Sequence, residues 1–235
     1  MKKYKSKKTI IIAIILLVFI LPVILMTYST LTSMNDNVKD TNISQSYEPL
    51  KYENIIVPDK KLRVDYFFWL KCAGCYAIEP VIADWYLNIS DDIDFNFVPV
   101  GWSGASKDAE AFYIVKKIYE DGRINKQKFV TSVQDLFDIT FVDKKPLNHK
   151  NIYSKIVKHK AFKSEEDFNS FISENNDYIK NGIRYSEEIS RMLSVESVPS
   201  IVLDKTKSTS TKDYNNDSIK MIENINRLAK EKSSK

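Results

Sequence analysis

The pattern of this 235-residue chain predicts an α/β fold in which a helical subdomain interrupts a sheet, preceded by an N-terminal transmembrane helix. Three observations lead there. A β-branched and aromatic run is followed at once by helix-periodic residues and then by a second such run, which is a β-α-β unit. About eighty residues of helical pattern then precede the next strand, more than one crossover needs. Finally, Ile10 to Met26 carry no charge and stand directly behind a cluster of lysines, the pattern of a membrane-spanning segment.

Residues 1–8 read as a basic cytoplasmic stub, 9–27 as the apolar segment and 28–50 as a linker. Five of the 35 basic residues (Lys2, Lys3, Lys5, Lys7 and Lys8) lie in the stub, leaving 30 against 31 acids in the remainder. The formal charge of +4 is therefore a topology signal, and nothing points to a nucleic-acid partner. The apolar run suits an anchor or a generous secretory core. Thr27-Tyr28-Ser29 is its best and poor cleavage signature, and the length of the run, beyond a usual secretory core, favours an uncleaved anchor. No cysteine follows the run, which excludes lipid attachment there. Lysines precede it and none follows until Lys39, so the rest of the chain is expected outside the cytoplasmic membrane, facing the periplasm or cell exterior. Residues 28–50, rich in Thr, Ser, Asn and Asp, read as a solvated tether.

Residues 51–103 form the first half of the sheet domain. Leu62 to Leu70 (LRVDYFFWL) reads as a buried strand. Ile78, Val81, Ile82, Trp85 and Tyr86 recur at helical spacing, so a helix runs from about Cys72 to Leu87. Phe95 to Val100 is the next strand. Residues 104–182 read as the inserted helices. Ala109, Phe112, Tyr113, Ile118 and Tyr119 mark one, ended by Gly122. Phe129, Val130, Val133, Leu136 and Phe137 mark another. Phe168, Phe171 and Ile172 mark a third, behind Ser164-Glu165-Glu166-Asp167. Residues 183–235 return to the sheet through VESVPSIVL (195–203). The KTKSTSTKD stretch after it is polar and turn-like, so a final strand is poorly marked.

The chain has two cysteines, Cys72 and Cys75, three positions apart. That excludes a disulfide framework and leaves a redox pair or half of a metal site. There is no further cysteine, and His149 and His159 fit no common zinc spacing, so no metal is expected. Both histidines read as surface residues. Placed where a strand feeds a helix, Cys72 meets unpaired N–H groups and the positive end of the helix dipole, which favour its thiolate. Cys75 lies a turn in and deeper. Lys71 is a candidate for added electrostatic support.

Strand, Cys-Ala-Gly-Cys and helix, with Pro80 five residues after Cys75 and Val198-Pro199 much later, resemble the thioredoxin superfamily. The order of elements is similar to the DsbA-like thiol:disulfide interchange proteins, over roughly residues 50 to 232. The resemblance implies a thioredoxin fold with a helical insertion and catalytic Cys72 and Cys75. It also implies a helix kink at Pro80 and a cis Val198–Pro199 bond whose loop packs against the cysteines and pairs with extended clients. Further implications are exported client proteins receiving disulfides, no cofactor, and a DsbB-like, quinone-linked membrane partner for recharging. The chain departs from the family in having Ala73-Gly74 where Pro-His is best known. It also has Tyr66 where some relatives carry a buried acid, with Asp65 one place off on the other face. A reductase or isomerase is a second reading, and a tethered chaperone gripping extended segments is a third.

Overall fold

The computed structural model describes residues 56–100, 106–214 and 216–235, with the side chain of Lys207 left aside. The stub, the apolar segment and the tether lie outside the described residues, as does Trp102 of the VPVGW element. Among the described residues no helix is long and apolar enough to cross a membrane.

Strand β1 (Leu62–Phe68) is buried along its whole length, as a central strand covered on both faces must be,. It stops two residues earlier than the apolar run suggests, because Trp69 turns the chain and its carbonyl accepts the Cys72 N–H at 2.9 Å. Helix α1 (Ala73–Leu87) follows, with Pro80 inside it. Proline has no N–H to give the carbonyl of Tyr76 one turn back. Strand β2 (Ile93–Pro99) then pairs parallel with β1, Leu62 opposite Ile93 and Phe68 opposite Pro99. It begins two residues before the expected Phe95.

The helical portion comprises α2 (Ser106–Glu120), α3 (Lys126–Phe141), α4 (His149–Ile156), α5 (Glu165–Glu174) and α6 (Asn176–Met192). Asn125, Asn148 and Ser164 cap α3, α4 and α5 through side-chain oxygens that accept backbone N–H groups,. Helix α6 runs unbroken across residue 182, so the helical portion and the returning sheet share one element. Strand β3 (Ser200–Leu203) pairs antiparallel with β1, and the short β4 (Lys207–Thr209) pairs antiparallel with β3. The weakly marked final strand thus exists, held by backbone bonding at an edge where side-chain pattern matters least. Helix α7 (Ser218–Ser233) closes the chain, capped by Asp217.

The sheet order is β2-β1-β3-β4. One face holds the main core, built from Val64, Tyr66 and Phe68 of β1 with Ile78 and Ile82 of α1, Phe112 of α2 and Phe137 of α3. The other carries a smaller cluster of Phe67, Val98, Val100, Ile189 and Val202. Period-two alternation along β1 sends Asp65 to that second face, where Arg63 bonds it,.

Candidate active site

The site lies where β1 gives way to α1. Cys72 is the N-cap of the helix, with extended backbone (φ −90°, ψ 117°). Its sulfur takes the part an Asp or Ser oxygen plays in an ordinary cap, accepting the Cys75 N–H at 3.1 Å,. Cys72 is half-buried, whereas Cys75 is 0% exposed. Both are free thiols.

The two sulfurs are electrostatically unlike. The Cys75 thiol, donating to Cys72, brings the Cys72 pKa down to about 6 against the opposing effect of burial, with the N–H groups of Cys75 and Gly74 adding to the fall. Donating to Cys72 and lying buried drive the Cys75 pKa well up. At neutral pH Cys72 is thus mainly thiolate, roughly nine parts in ten at pH 7, and Cys75 holds the shared proton. Such a pair has one outward nucleophile and leaving group and one inward, protonated partner.

The loop before β3 completes the site. The Val198–Pro199 peptide bond is cis. The Val198 carbonyl lies 3.6 Å from Cys72 Sγ, close enough to accept the thiol proton when Cys72 carries one. A Cβ added to Gly74 would sit 3.3 Å from Pro199 Cδ and 3.8 Å from Cys72 Sγ. The small residue between the cysteines lets the proline ring approach this closely. Cys72, Cys75, Val198 and Pro199 are therefore together in space, although 122 residues lie between Cys75 and Val198 in sequence.

Lys71 serves a different partner from the one expected. Its Nζ lies 3.0 Å from Oδ1 of the buried Asp108 on α2, whose other oxygen accepts the Trp69 indole N–H at 2.6 Å. The ammonium is compensated there and is not among the groups that lower Cys72. What Lys71 and Trp69 do instead is tie the turn before Cys72 to the helical portion. Pro80 is exposed on α1, away from the sulfurs. The histidines are not both surface residues: the His159 side chain is 9% exposed and faces Asp135 at 3.8 Å. No group of three or more His, Cys, Asp or Glu side chains suited to a metal occurs among the described residues.

The residue that the sequence reading missed is Glu79. It lies on the buried stripe of α1 with Cys75, Ile78, Ile82 and Trp85. Burial alone pushes its carboxyl up to about 8. The signal was present: position 79 is four after Cys75 and three before Ile82, inside the core-facing arc of the helix.

No protein-family model matches the chain. A stretch of 64 residues is 36% identical to the thiol:disulfide interchange protein DsbA of Burkholderia cepacia, covering 27% of this chain and 28% of that relative. Solved structures resemble far more of it. A Pseudomonas aeruginosa DsbA matches with a TM-score of 0.60 at 16% identity, over 78% of this chain and 92% of its own. A Neisseria meningitidis oxidoreductase of the same kind matches with 0.58 at 16% identity, over 80% and 91%. A Proteus mirabilis DsbA variant, solved with the non-covalently bound peptide PWATCDS, matches with 0.55 at 13% identity, over 77% and 92%. At these identities the structures speak for the fold. Together they show that the chain shares the mixed α/β, thioredoxin-like fold of the DsbA oxidoreductases.

Proposed function

We propose that the protein is a membrane-tethered thiol:disulfide oxidoreductase that introduces disulfides into exported proteins. The observation that carries this reading is the asymmetry of the pair: a half-buried Cys72 biased to thiolate by the Cys75 thiol and the N–H groups of the helix N-terminus, backed by a buried, protonated Cys75. A sulfur that is stable as a thiolate leaves readily, so its disulfide is reactive and its reduced form is favoured. A client thiolate attacks Cys72 Sγ of the oxidised pair and forms a mixed disulfide, and Cys75 is released. A second client thiolate attacks the client sulfur and expels Cys72 as thiolate. The client gains a disulfide and the protein is left reduced.

The Val198 carbonyl beside Cys72 supports a client lying extended across the loop, and the peptide-bound Proteus mirabilis relative fits the same picture. Recharging falls to a DsbB-like, quinone-linked membrane partner, which the apolar anchor at residues 9–27 keeps near. The protein's own chemistry needs no cofactor. Cys72, Cys75, Val198 and Pro199 are the working residues, and Lys71 acts as an anchor for the turn.

A second reading has one observation behind it. A Cys72 pKa of about 6 lies nearer the ~7 of a reductase such as thioredoxin than the ~3.5 of a strong oxidant, which fits the missing side-chain donor at Gly74. Equilibration of the full chain with glutathione buffers decides between them. The expected potential lies toward ~−120 mV, and a value near ~−270 mV would make the protein a reductase. Undiminished client folding by a Cys72→Ser variant would instead favour the chaperone.

A further inference from the structure

The three residues that lead into Cys72 belong neither to the sheet nor to the helix. The β1–β2 pairing ends at Phe68, whose carbonyl accepts the Val100 N–H at 2.8 Å, and α1 begins at Ala73. Their side chains are gripped from elsewhere in the fold. Asp108, in the first turn of α2, is 2% exposed. Its Oδ2 accepts the Trp69 indole N–H at 2.6 Å, and its Oδ1 lies 3.0 Å from Lys71 Nζ. One carboxylate thus holds positions 69 and 71 at once, while Leu70 between them is sunk in the main core.

A buried carboxylate is tolerated only when it is paired and hydrogen-bonded. Asp108 meets both conditions, and its place at the positive end of α2 helps. Even so, an apolar contact would hold the two elements together at no less stability. What the carboxylate adds is direction, and the backbone it directs touches both sulfurs. The Trp69 carbonyl accepts the Cys72 N–H at 2.9 Å. The Trp69 N–H acts on the Cys75 sulfur, against the effect of burial there. Cys72, one residue past Lys71, must keep its extended backbone for Sγ to accept the Cys75 N–H at 3.1 Å. Trp69 also packs on the same small cluster as Val198, across the site.

We infer that Asp108 is a positioning residue for thiol exchange: by holding Trp69 and Lys71 together it locks the turn that keeps Cys72 Sγ at the N-cap, against the N–H groups that stabilise it as a leaving group. The inference rests on the thiol-exchange reading and deepens it. The step it serves is the second one. A client thiolate bonds to the client sulfur of the mixed disulfide, the bond to Cys72 breaks, and its electron pair stays on Cys72 Sγ, which departs as thiolate and needs no proton. Asp108 touches none of these atoms. It gives the inserted helices a part in the chemistry through one side chain and the turn it grips.

The test uses the full chain, with iodoacetamide alkylation of the reduced form followed against pH and the glutathione equilibrium measured at pH 7. The wild-type midpoint lies near 6. Asp108→Ala releases both side chains and should move it to about 7, as expected for loss of one hydrogen bond to a charged group. The equilibrium constant for oxidising glutathione should fall about fivefold with it. Asp108→Asn, which keeps an oxygen for the indole, should shift the midpoint less. Trp69→Phe should also raise it, and the double variant with Asp108→Ala should add little, since both remove the same contact. Variants that lose stability to urea yet keep the wild-type midpoint and equilibrium would overturn the inference, leaving Asp108 a structural pair only. If Asp108→Ala does not fold, Trp69→Phe decides alone: a raised midpoint upholds the inference and an unmoved one overturns it. An alkylation phase that survives Cys72→Ser would defeat the underlying thiol-exchange reading, and the inference with it.

Discussion

Two side chains, Cys72 at the N-cap of α1 and Glu79 within it, hold opposite charge states from those their residue types show in water, and for opposite reasons. Cys72 is a thiolate because hydrogen bonds from Cys75 and the backbone outweigh its partial burial. Glu79 is a neutral acid because burial is unopposed. Alkylation of the reduced protein by iodoacetamide should thus rise with pH around a midpoint near 6, set by Cys72, and Cys72→Ser should abolish that phase. Stability follows the same groups with opposite signs. The Cys72 pKa is depressed in the fold, so between about 6 and the ordinary thiol value near ~8.5 the unfolded chain binds more protons, and the reduced form gains stability as pH rises. The Glu79 pKa is raised, so from the ordinary carboxyl value near ~4.3 up to about 8 the folded chain binds more protons, and stability falls as pH rises. Glu79→Gln removes only the second trend. Urea unfolding should find it stabilised relative to wild type by about 2 kcal/mol or more at pH 8 compared with pH 5, and an equal difference at both pH values would contradict a buried neutral acid.

Among the elements, those whose side chains alternate or recur against a core were readable in advance: β1, α1, β2, α2, α3 and α5. Strand β4 was not, since Lys207–Thr209 is held by ladder bonds to β3, and backbone bonding leaves no mark in composition. The site was half legible. Cys72 and Cys75 announced themselves by spacing, and Val198-Pro199 by resemblance. Glu79 sat on a stripe otherwise apolar and was passed over because a charged residue in such a stripe is usually taken for its edge. Asp108, which redirects Lys71, could not be found without knowing that α2 returns to the turn before Cys72. Helices α2 and α6 meet in a similarly unadvertised way. A Cβ on Gly182 of α6 would stand 2.4 Å from Cδ1 of Tyr113 on α2. That ring is fixed at its far end, where the hydroxyl is 2.7 Å from Ser186 Oγ. Alanine in a helix interior ordinarily gains ~1 kcal/mol over glycine. Here the overlap should dominate, so Gly182→Ala should lower the unfolding free energy by about 1–3 kcal/mol, and a more stable variant would show that the two helices can separate freely.

At the scale of the whole molecule, the face of the sheet away from the cysteines is organised around one buried ion pair. Arg63 Nε and Nη2 donate to the two oxygens of Asp65 at 2.8 and 2.7 Å. The same guanidinium donates to the Tyr185 hydroxyl of α6 at 2.9 Å and, through Nη1, to the carbonyl of Ile56 at 2.9 Å. The Arg63 N–H donates to Asp204 Oδ1 at 3.0 Å, and Lys232 of α7 also bonds that carboxylate. Central strand, long helix, incoming chain and the turn after β3 thus converge on one residue. Burial pushes the Asp65 carboxyl up even with the guanidinium against it, so desolvation absorbs much of the attraction and the pair's net contribution to stability is small. Its removal in halves is another matter. Arg63→Met leaves Asp65 buried without its cation and frees Tyr185 and Ile56 from their shared donor. That variant should lose about 3–5 kcal/mol in urea unfolding, while Arg63→Met with Asp65→Leu should recover most of the loss. Both should keep the Cys72 alkylation midpoint near 6, because the pair lies across the sheet from the sulfurs. A double variant as unstable as the single one would mean that Arg63 matters chiefly through Tyr185 and Ile56, and a moved midpoint would mean that the two faces of the sheet are coupled.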